Sequence, residues 1–219
     1  MNFIQHATMK PISYFLKFTC RCVLAVWVLS VMPVWADEAP DQFIKTLTTE
    51  LLDTVKNDAS LKSGDAQRLG QLVDQKIMPY LNFQRMTASA VGPAWRQASP
   101  DQRNRLQQEF KTLLVRTYSG AVSQVKQQSV FIKPMRGEAG ANEVLVRTEV
   151  RGGAEPVDID YRLEKSADAP SGWRIYNMNV AGIWLVDTYR TQFSQEINAK
   201  GIDGLIASLA ERNQAGVRK

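Results

Sequence analysis

Apolar positions along this chain follow two different periods. From Asp41, the residues Phe43, Ile44, Leu47, Leu51, Leu52 and Val55 recur at helical spacing, while Lys45, Glu50, Asp53 and Lys56 fill the opposite face. Asn57 to Gly64 reads as a turn. Asp65 then caps a second predicted helix through Leu69, Leu72, Val73 and Ile77, which Pro79 ends. A short helical piece is predicted from Asn82 to Ala90, stopping at Gly92-Pro93. Ser99-Pro100-Asp101-Gln102 is a helix start with an N-cap serine, proline at the first helical position and glutamine three residues on. That helix carries Leu106, Phe110, Leu113, Leu114 and Tyr118.

Beyond it the period drops to two. Val130 and Ile132 form one apolar pair. Val144, Val146, Thr148 and Val150 alternate with Leu145, Arg147, Glu149 and Arg151, and Val157, Ile159, Tyr161 and Leu163 alternate with Asp158, Asp160, Arg162 and Glu164. Trp173 to Val180 reads as a fourth strand. Glycines and a proline at Gly137, Gly140, Gly152-Gly153, Pro170 and Gly172 separate these runs, as antiparallel connections require. One face of such a sheet is apolar and one charged, so helices must cover the apolar face. Helical spacing returns in Leu185, Val186, Tyr189, Phe193 and Ile197, stops at Gly201, and resumes briefly through Leu205, Ile206 and Leu209. The expected fold is α+β, with helices packed on one face of a four-stranded antiparallel sheet, as a single domain over 37–219.

The first 36 residues change the inventory. Lys10, Lys17 and Arg21 precede an apolar run from Cys22 to Val34. Val34-Trp35-Ala36 then offers a signal-peptidase site ahead of Asp37-Glu38. That order is a cleavable secretory signal at 1–36, and its apolar run is too short for an ordinary membrane span. Cleavage removes Cys20, Cys22 and His6, the only cysteines and histidine in the chain. It also takes three positive charges, so the net charge falls from +5 to +2. What remains lacks a disulfide, a thiol nucleophile, a zinc site of the usual kind and a histidine general base. The low residual charge also argues against nucleic acid.

Paired carboxylates and basic clusters have plain readings. Asp158 and Asp160 share one strand face, as a cation site or two-carboxylate enzyme would need, but that face lies opposite the apolar stripe and reads as solvated. Lys126, Lys133 and Arg136 beside Phe131 read as a charged outer face. The aromatic and aliphatic set points elsewhere. Tyr80, Phe83, Met86, Trp95, Leu114 and Tyr118 from the helical half, with Val146, Val150, Val157, Ile159, Tyr161, Ile175, Met178 and Trp184 from the sheet half, would wall an internal apolar cavity between the layers. No charge is forced into it. Such a cavity suits long hydrocarbon better than a sugar, amino acid or nucleotide. No catalytic residue, metal site or cofactor is expected.

Two runs of landmarks carry a family resemblance. Pro79-Tyr-Leu-Asn-Phe83, Gly92-Pro-Ala-Trp95-Arg-Gln-Ala-Ser99, Phe110-Lys-Thr-Leu-Leu114 and Thr117-Tyr118 form the first. Trp173-Arg-Ile-Tyr-Asn-Met178, Gly182-Ile-Trp-Leu-Val186, Tyr189-Arg-Thr-Gln-Phe193 and Gly201-Ile-Asp-Gly-Leu-Ile206 form the second. In this order they resemble the MlaC family of periplasmic phospholipid carriers, also called toluene-tolerance auxiliary proteins, over nearly the whole chain after residue 36. The sequence departs from that pattern at Asn82, Asn177 and Ala181, where acidic residues are common, and at Trp184, where a small one is. The resemblance implies a cone of helices on a twisted sheet, NTF2-like in shape, with phospholipid as bound ligand and no cofactor. It implies a shuttle between an outer-membrane lipoprotein–porin complex and an inner-membrane ABC transporter complex, maintaining outer-membrane lipid asymmetry. The alternatives are an NTF2-like periplasmic enzyme using the carboxylates or a tyrosine, and a pure interaction module of an envelope assembly.

Overall fold

The computed structural model describes residues 38–135 and 140–215. The expected signal segment and Arg136 lie outside the described residues. Helix α1 (Pro40–Asn57) buries Phe43, Ile44, Leu47 and Val55 on the face that its sequence period marks. The stretch read as a turn holds one short helix, α2 (Ala59–Lys62). Its start is fixed by Asp58, whose carboxylate accepts from the Ser60 and Leu61 amides. Asp65 caps α3 (Ala66–Leu72) in the same way, through Gln67 and Arg68. The chain continues through a π turn, Val73–Ile77, into a 3₁₀ turn at Met78–Tyr80.

Asn82 caps α4 (Phe83–Val91) by accepting from the Arg85 amide at 2.9 Å. Helix α5 (Pro100–Ser123) begins on the expected capping box. The Ser99 hydroxyl accepts from the Gln102 amide at 3.2 Å, and the Gln102 side chain accepts from the Ser99 amide at 2.9 Å.

Five strands follow in spatial order, each antiparallel to its neighbour: β1 (Ser129–Ile132), β2 (Glu143–Arg151), β3 (Val157–Lys165), β4 (Trp173–Val180) and β5 (Ile183–Trp184). The four expected strands are present, and β5 is a two-residue addition. Near the start of β4, Leu81 forms a bridge to Ile175, and the Asn82 amide donates to the Ile175 carbonyl at 2.9 Å. That pairing satisfies backbone groups of β4 which β5 is too short to reach. Arg85 of α4 ties this edge to the outer face of the sheet. Its guanidinium pairs with Glu164 and, at 2.8 Å, with Glu143, and lies over the Tyr176 ring.

Helix α6 (Leu185–Ala215) is two helical segments joined at Gly201, whose φ of 72° and ψ of −174° no helix interior adopts. Residues 196 and 212 would stand about 24 Å apart on a straight helix. Instead the Arg212 guanidinium reaches the Glu196 carboxylate at 2.9 Å, and Ser208 donates to the same side chain. The second segment therefore folds back along the first. It buries Leu205, Ile206 and Leu209 in the main core with Leu106 and Phe110 of α5.

Helices α4, α5 and α6 enclose this core against the sheet, with Phe110 at the centre of an aromatic set. Its ring lies 5.0 Å from Tyr189, 5.2 Å from Phe193 and 5.7 Å from Phe83. A second, smaller core of Val55, Leu61, Leu69 and Leu72 joins the end of α1 to α2 and α3, and Leu51 packs against both.

Ala181 and Gly182 connect β4 to β5 with φ of 50° and 86°, the two positive values of a type I′ turn. Alanine carries a Cβ penalty there that asparagine tolerates far better. Ala181→Asn should stabilise the protein by about 0.5–1 kcal/mol, raising its thermal midpoint by roughly 1–4 °C in a calorimetric scan. An unchanged or lowered midpoint would contradict the turn assignment.

Candidate functional site

The inner face of the sheet is a set of apolar rows built by strand register. Val144 pairs with Leu163, Val146 with Tyr161, Thr148 with Ile159, and Val150 with Val157. On the other side of β3, Tyr161 pairs with Met178 and Ile159 with Val180. Because side chains alternate across a strand, all of these point to the face the helices cover.

Burial along these rows is graded. Val146 and Leu163 are fully buried and Tyr161 is 6% exposed; Ile159 is half-buried; Val157 is 38% exposed. Val150, Met178 and Val180 are likewise half-buried. The deep end is closed by Trp173 and Ile175, both buried, and the Trp173 indole donates to the Glu38 carbonyl at 2.9 Å.

Across from this face, the helical residues expected in the wall contribute unequally. Phe83 and Met86 of α4 are buried in the same core cluster as Val146, Tyr161 and Ile175. Tyr80 is half-buried, its ring tilted against Phe43 at 5.4 Å. Leu114 packs half-buried at the edge of the cluster, as does Trp95, whose ring lies under the Arg103 guanidinium. Tyr118, a turn beyond Leu114 on α5, is half-buried and near Tyr189.

Trp184 is placed differently. It pairs with Asn179, which pairs with Asp160, so it belongs to the charged outer row. The Arg162 guanidinium lies 3.9 Å from its ring centroid. Trp184 therefore stands outside the wall, because the register of a two-residue strand, and not its residue type, decides which face it takes.

Sequence reading missed Leu51, Leu113, Ile132 and Thr48 at this layer. The first three are partly buried against the main core. Their helical or strand period was legible, but which of them overhang the sheet depends on helix placement. Thr48 of α1 and Thr148 of β2 hydrogen-bond the Tyr161 hydroxyl, and Thr148 itself donates to the Ile159 carbonyl at 2.8 Å. These bonds satisfy the polar groups of an otherwise apolar layer.

Electrostatics separate the two faces. Burial pushes the Tyr161 phenol up, against its hydrogen bonds with Thr48 and Thr148, and burial with nearby Tyr189 pushes the Tyr118 phenol up as well. Both are neutral at physiological pH and neither serves as a base there. Charges gather on the outer face, where Lys133 pairs with Asp158 at 2.6 Å. Burial, and then neighbouring Asp158, raise the Asp160 carboxyl. Asp158 and Asp160 share a face, as their spacing predicted, but they face away from the apolar layer. Among the described residues, the inner face from Val157 to Leu163 is an uncharged surface between sheet and helices, and Lys165 at its Trp173 end is the first charge beyond it.

Comparison with known proteins bears on this geometry. Residues 45–211 match the family model described as MlaC protein. The chain is 20% identical over 178 residues to the intermembrane phospholipid transport system binding protein MlaC of Haemophilus influenzae, covering 80% of this chain and 83% of that protein. It is 25% identical over 188 residues to the toluene tolerance protein ttg2D of Pseudomonas putida, covering 82% and 86%. Among solved structures, a phospholipid-binding protein from Ralstonia solanacearum in complex with a phospholipid matches with a TM-score of 0.77 and 43% sequence identity. That match covers 83% of this chain and 99% of the other.

Proposed function

This chain belongs to the MlaC family, and from that premise we propose that it is a periplasmic phospholipid carrier without catalytic activity, holding acyl chains between its sheet and its helices. The observation that carries this reading is the uncharged inner stripe of β3 and its neighbours. From Leu163 to Val157 it runs six residues, about 20 Å at strand spacing. The hydrocarbon of one bilayer leaflet is about 15 Å deep, half of a 30 Å core. The stripe is thus long enough to shield an acyl chain over its full length.

The energetics favour a shielded carrier over free diffusion. At ~0.8 kcal/mol per methylene, exposing two chains of about thirty methylenes costs on the order of 24 kcal/mol. Non-covalent affinities saturate at roughly 18–21 kcal/mol. A lipid therefore does not cross water unaided, and its release from a carrier that buries both chains calls for a partner. The family reading supplies such partners as an outer-membrane lipoprotein–porin complex and an inner-membrane ABC transporter complex. The phospholipid-transport name of the Haemophilus relative and the lipid in the Ralstonia structure support this reading. The signal-like first 36 residues support export, and among the described residues no helix is long and apolar enough to cross a membrane. The neutral Tyr161 and Tyr118 and the outward carboxylates weigh against an enzyme.

Native mass spectrometry of the protein purified from its own periplasm should show one bound phospholipid-sized adduct that denaturation releases. A lipid-free protein that also takes up nothing from vesicles would overturn the carrier reading. Ile159→Arg places a charge on a half-buried position in the stripe, where the arginine can still reach water. Circular dichroism should show the fold retained while lipid retention falls at least tenfold, the size of a change of ~1.4 kcal/mol. Unchanged retention would move the acyl site away from the sheet.

A further inference from the structure

Strand β1 is an edge of the sheet and pairs with β2 alone. Its hydrogen-bond parity follows from one contact. The Lys133 amide donates to the Arg147 carbonyl at 2.9 Å, and the register that sets Ile132 opposite Thr148 makes these two residues direct opposites. Hydrogen-bonded pairs alternate along an antiparallel ladder. Phe131 and Ser129 therefore bond to β2 as Lys133 does, and the amides and carbonyls of Val130 and Ile132 point away from it. Among the described residues these outward groups meet no backbone partner. They open on a groove of about 290 Å³, lined on its other side by Asp41, Gln42 and Lys45 of α1. Such a row of unpaired main-chain groups is a template for another strand.

The residues around this edge fit a second copy of the same chain. With two β1 strands antiparallel, Val130 of each copy faces Ile132 of the other, and each of these pairs exchanges two hydrogen bonds. Phe131 then stands opposite Phe131 on the two-fold axis. That is the non-hydrogen-bonded position, where Cα atoms lie about 4.5 Å apart and side chains meet most closely. The Phe131 ring is 46% exposed and lies 4.2 Å from the Arg151 guanidinium, the aromatic and arginine chemistry that interface cores favour. Ser129 falls opposite Lys133, so no like charges oppose each other along the strands. Asp41 and Lys45 enter no ion pair among the described residues. Each groove thus brings one acid and one base, and Asp41 of either copy can pair with Lys45 of the other.

We propose that the protein self-associates through β1 into a two-fold dimer, its two sheets joined edge to edge with their apolar faces on the same side. A contact of this symmetry closes on itself instead of growing into a fibre. Strand β1 has four residues and Pro134 lies just beyond it, so the contact is small and the dimer transient. The association is independent of what the apolar layer holds.

Only position 131 lies on the axis, and this permits a register-specific test. Residues 37–219 contain no cysteine, so an introduced thiol has no other partner within them. Phe131→Cys sets two thiols on Cα atoms within the roughly 4.4–6.8 Å that disulfides span. Ser129→Cys lies on the same face of the strand but about 14 Å along the ladder from its own copy. Both variants are exported with their own N-terminal segment, checked for fold by circular dichroism and mildly oxidised. On a non-reducing gel Phe131→Cys should run mainly as a disulfide-linked dimer, and Ser129→Cys and the parent as monomers. In sedimentation velocity the parent's average mass should rise with concentration. Val130→Pro removes an outward amide without touching the β1–β2 ladder, and should abolish that rise. Equal cross-linking of the two cysteine variants, or a parent mass that does not change with concentration, would overturn the dimer. So would a Phe131→Cys protein that stays monomeric, the result expected if this edge receives a strand of a different protein.

Discussion

An antiparallel sheet with one apolar face cannot leave that face in water, and this constraint organises the whole molecule. Four consecutive odd positions of β3 are apolar and the four residues beside them are charged. The strand register extends the same division to β2 and β4, so one side of the sheet is greasy across three strands. Burial of each fully enclosed aliphatic side chain stabilises the fold by about 1.5–3 kcal/mol, which is the driving force that gathers α1, α4, α5 and α6 on that side. The fold-back of α6 at Gly201, the edge bridge at Leu81 and the Arg85 network on the outer face all hold the cover in position.

Cover and sheet do not match in extent. At one end Leu163, Ile175 and Trp173 are sealed; at the other Val150 and Val157 extend past the tightly packed core. The cluster around Phe110 and the smaller one around Leu61 are separate, joined through Leu51 of α1. A protein whose apolar layer is left partly uncovered at Val150 and Val157 has a ready place for hydrocarbon. Within it the Tyr161 hydroxyl is paired with Thr48 and Thr148, and Thr148 donates to the Ile159 carbonyl, so these polar groups are satisfied locally.

Much of this was legible from residue order because it rests on local rules. Period-2 alternation marked β1, β2 and β3, the run from Trp173 to Val180 marked β4, the Ser99 capping box marked the start of α5, and Gly201 marked the break in the last helix. The rest depends on non-local geometry. Val146 and Val157 look equivalent in the alternation, yet one is fully buried and the other exposed, because depth follows which part of the sheet the helices overhang. Trp184 has the composition of a core residue and lies on the outer face, because pairing with Asn179 through a two-residue turn fixes its side. That turn lacks the asparagine or aspartate that marks a hairpin, so β5 left no signal in the pattern. The folding-back of the two α6 segments, seen in the Glu196–Arg212 and Glu196–Ser208 contacts, is likewise absent from the helical period.

The central claim is that hydrocarbon occupies the layer between the sheet and the helices, and methyl NMR with a spin-labelled acyl chain tests it most directly. With a nitroxide midway along one chain of the bound lipid, the methyl signals of Ile159, Met178 and Leu114 should broaden strongly. Those of Leu61 and Leu69 in the second core should not. Broadening centred on the second core, or confined to outer-face residues such as Leu145, would contradict the account.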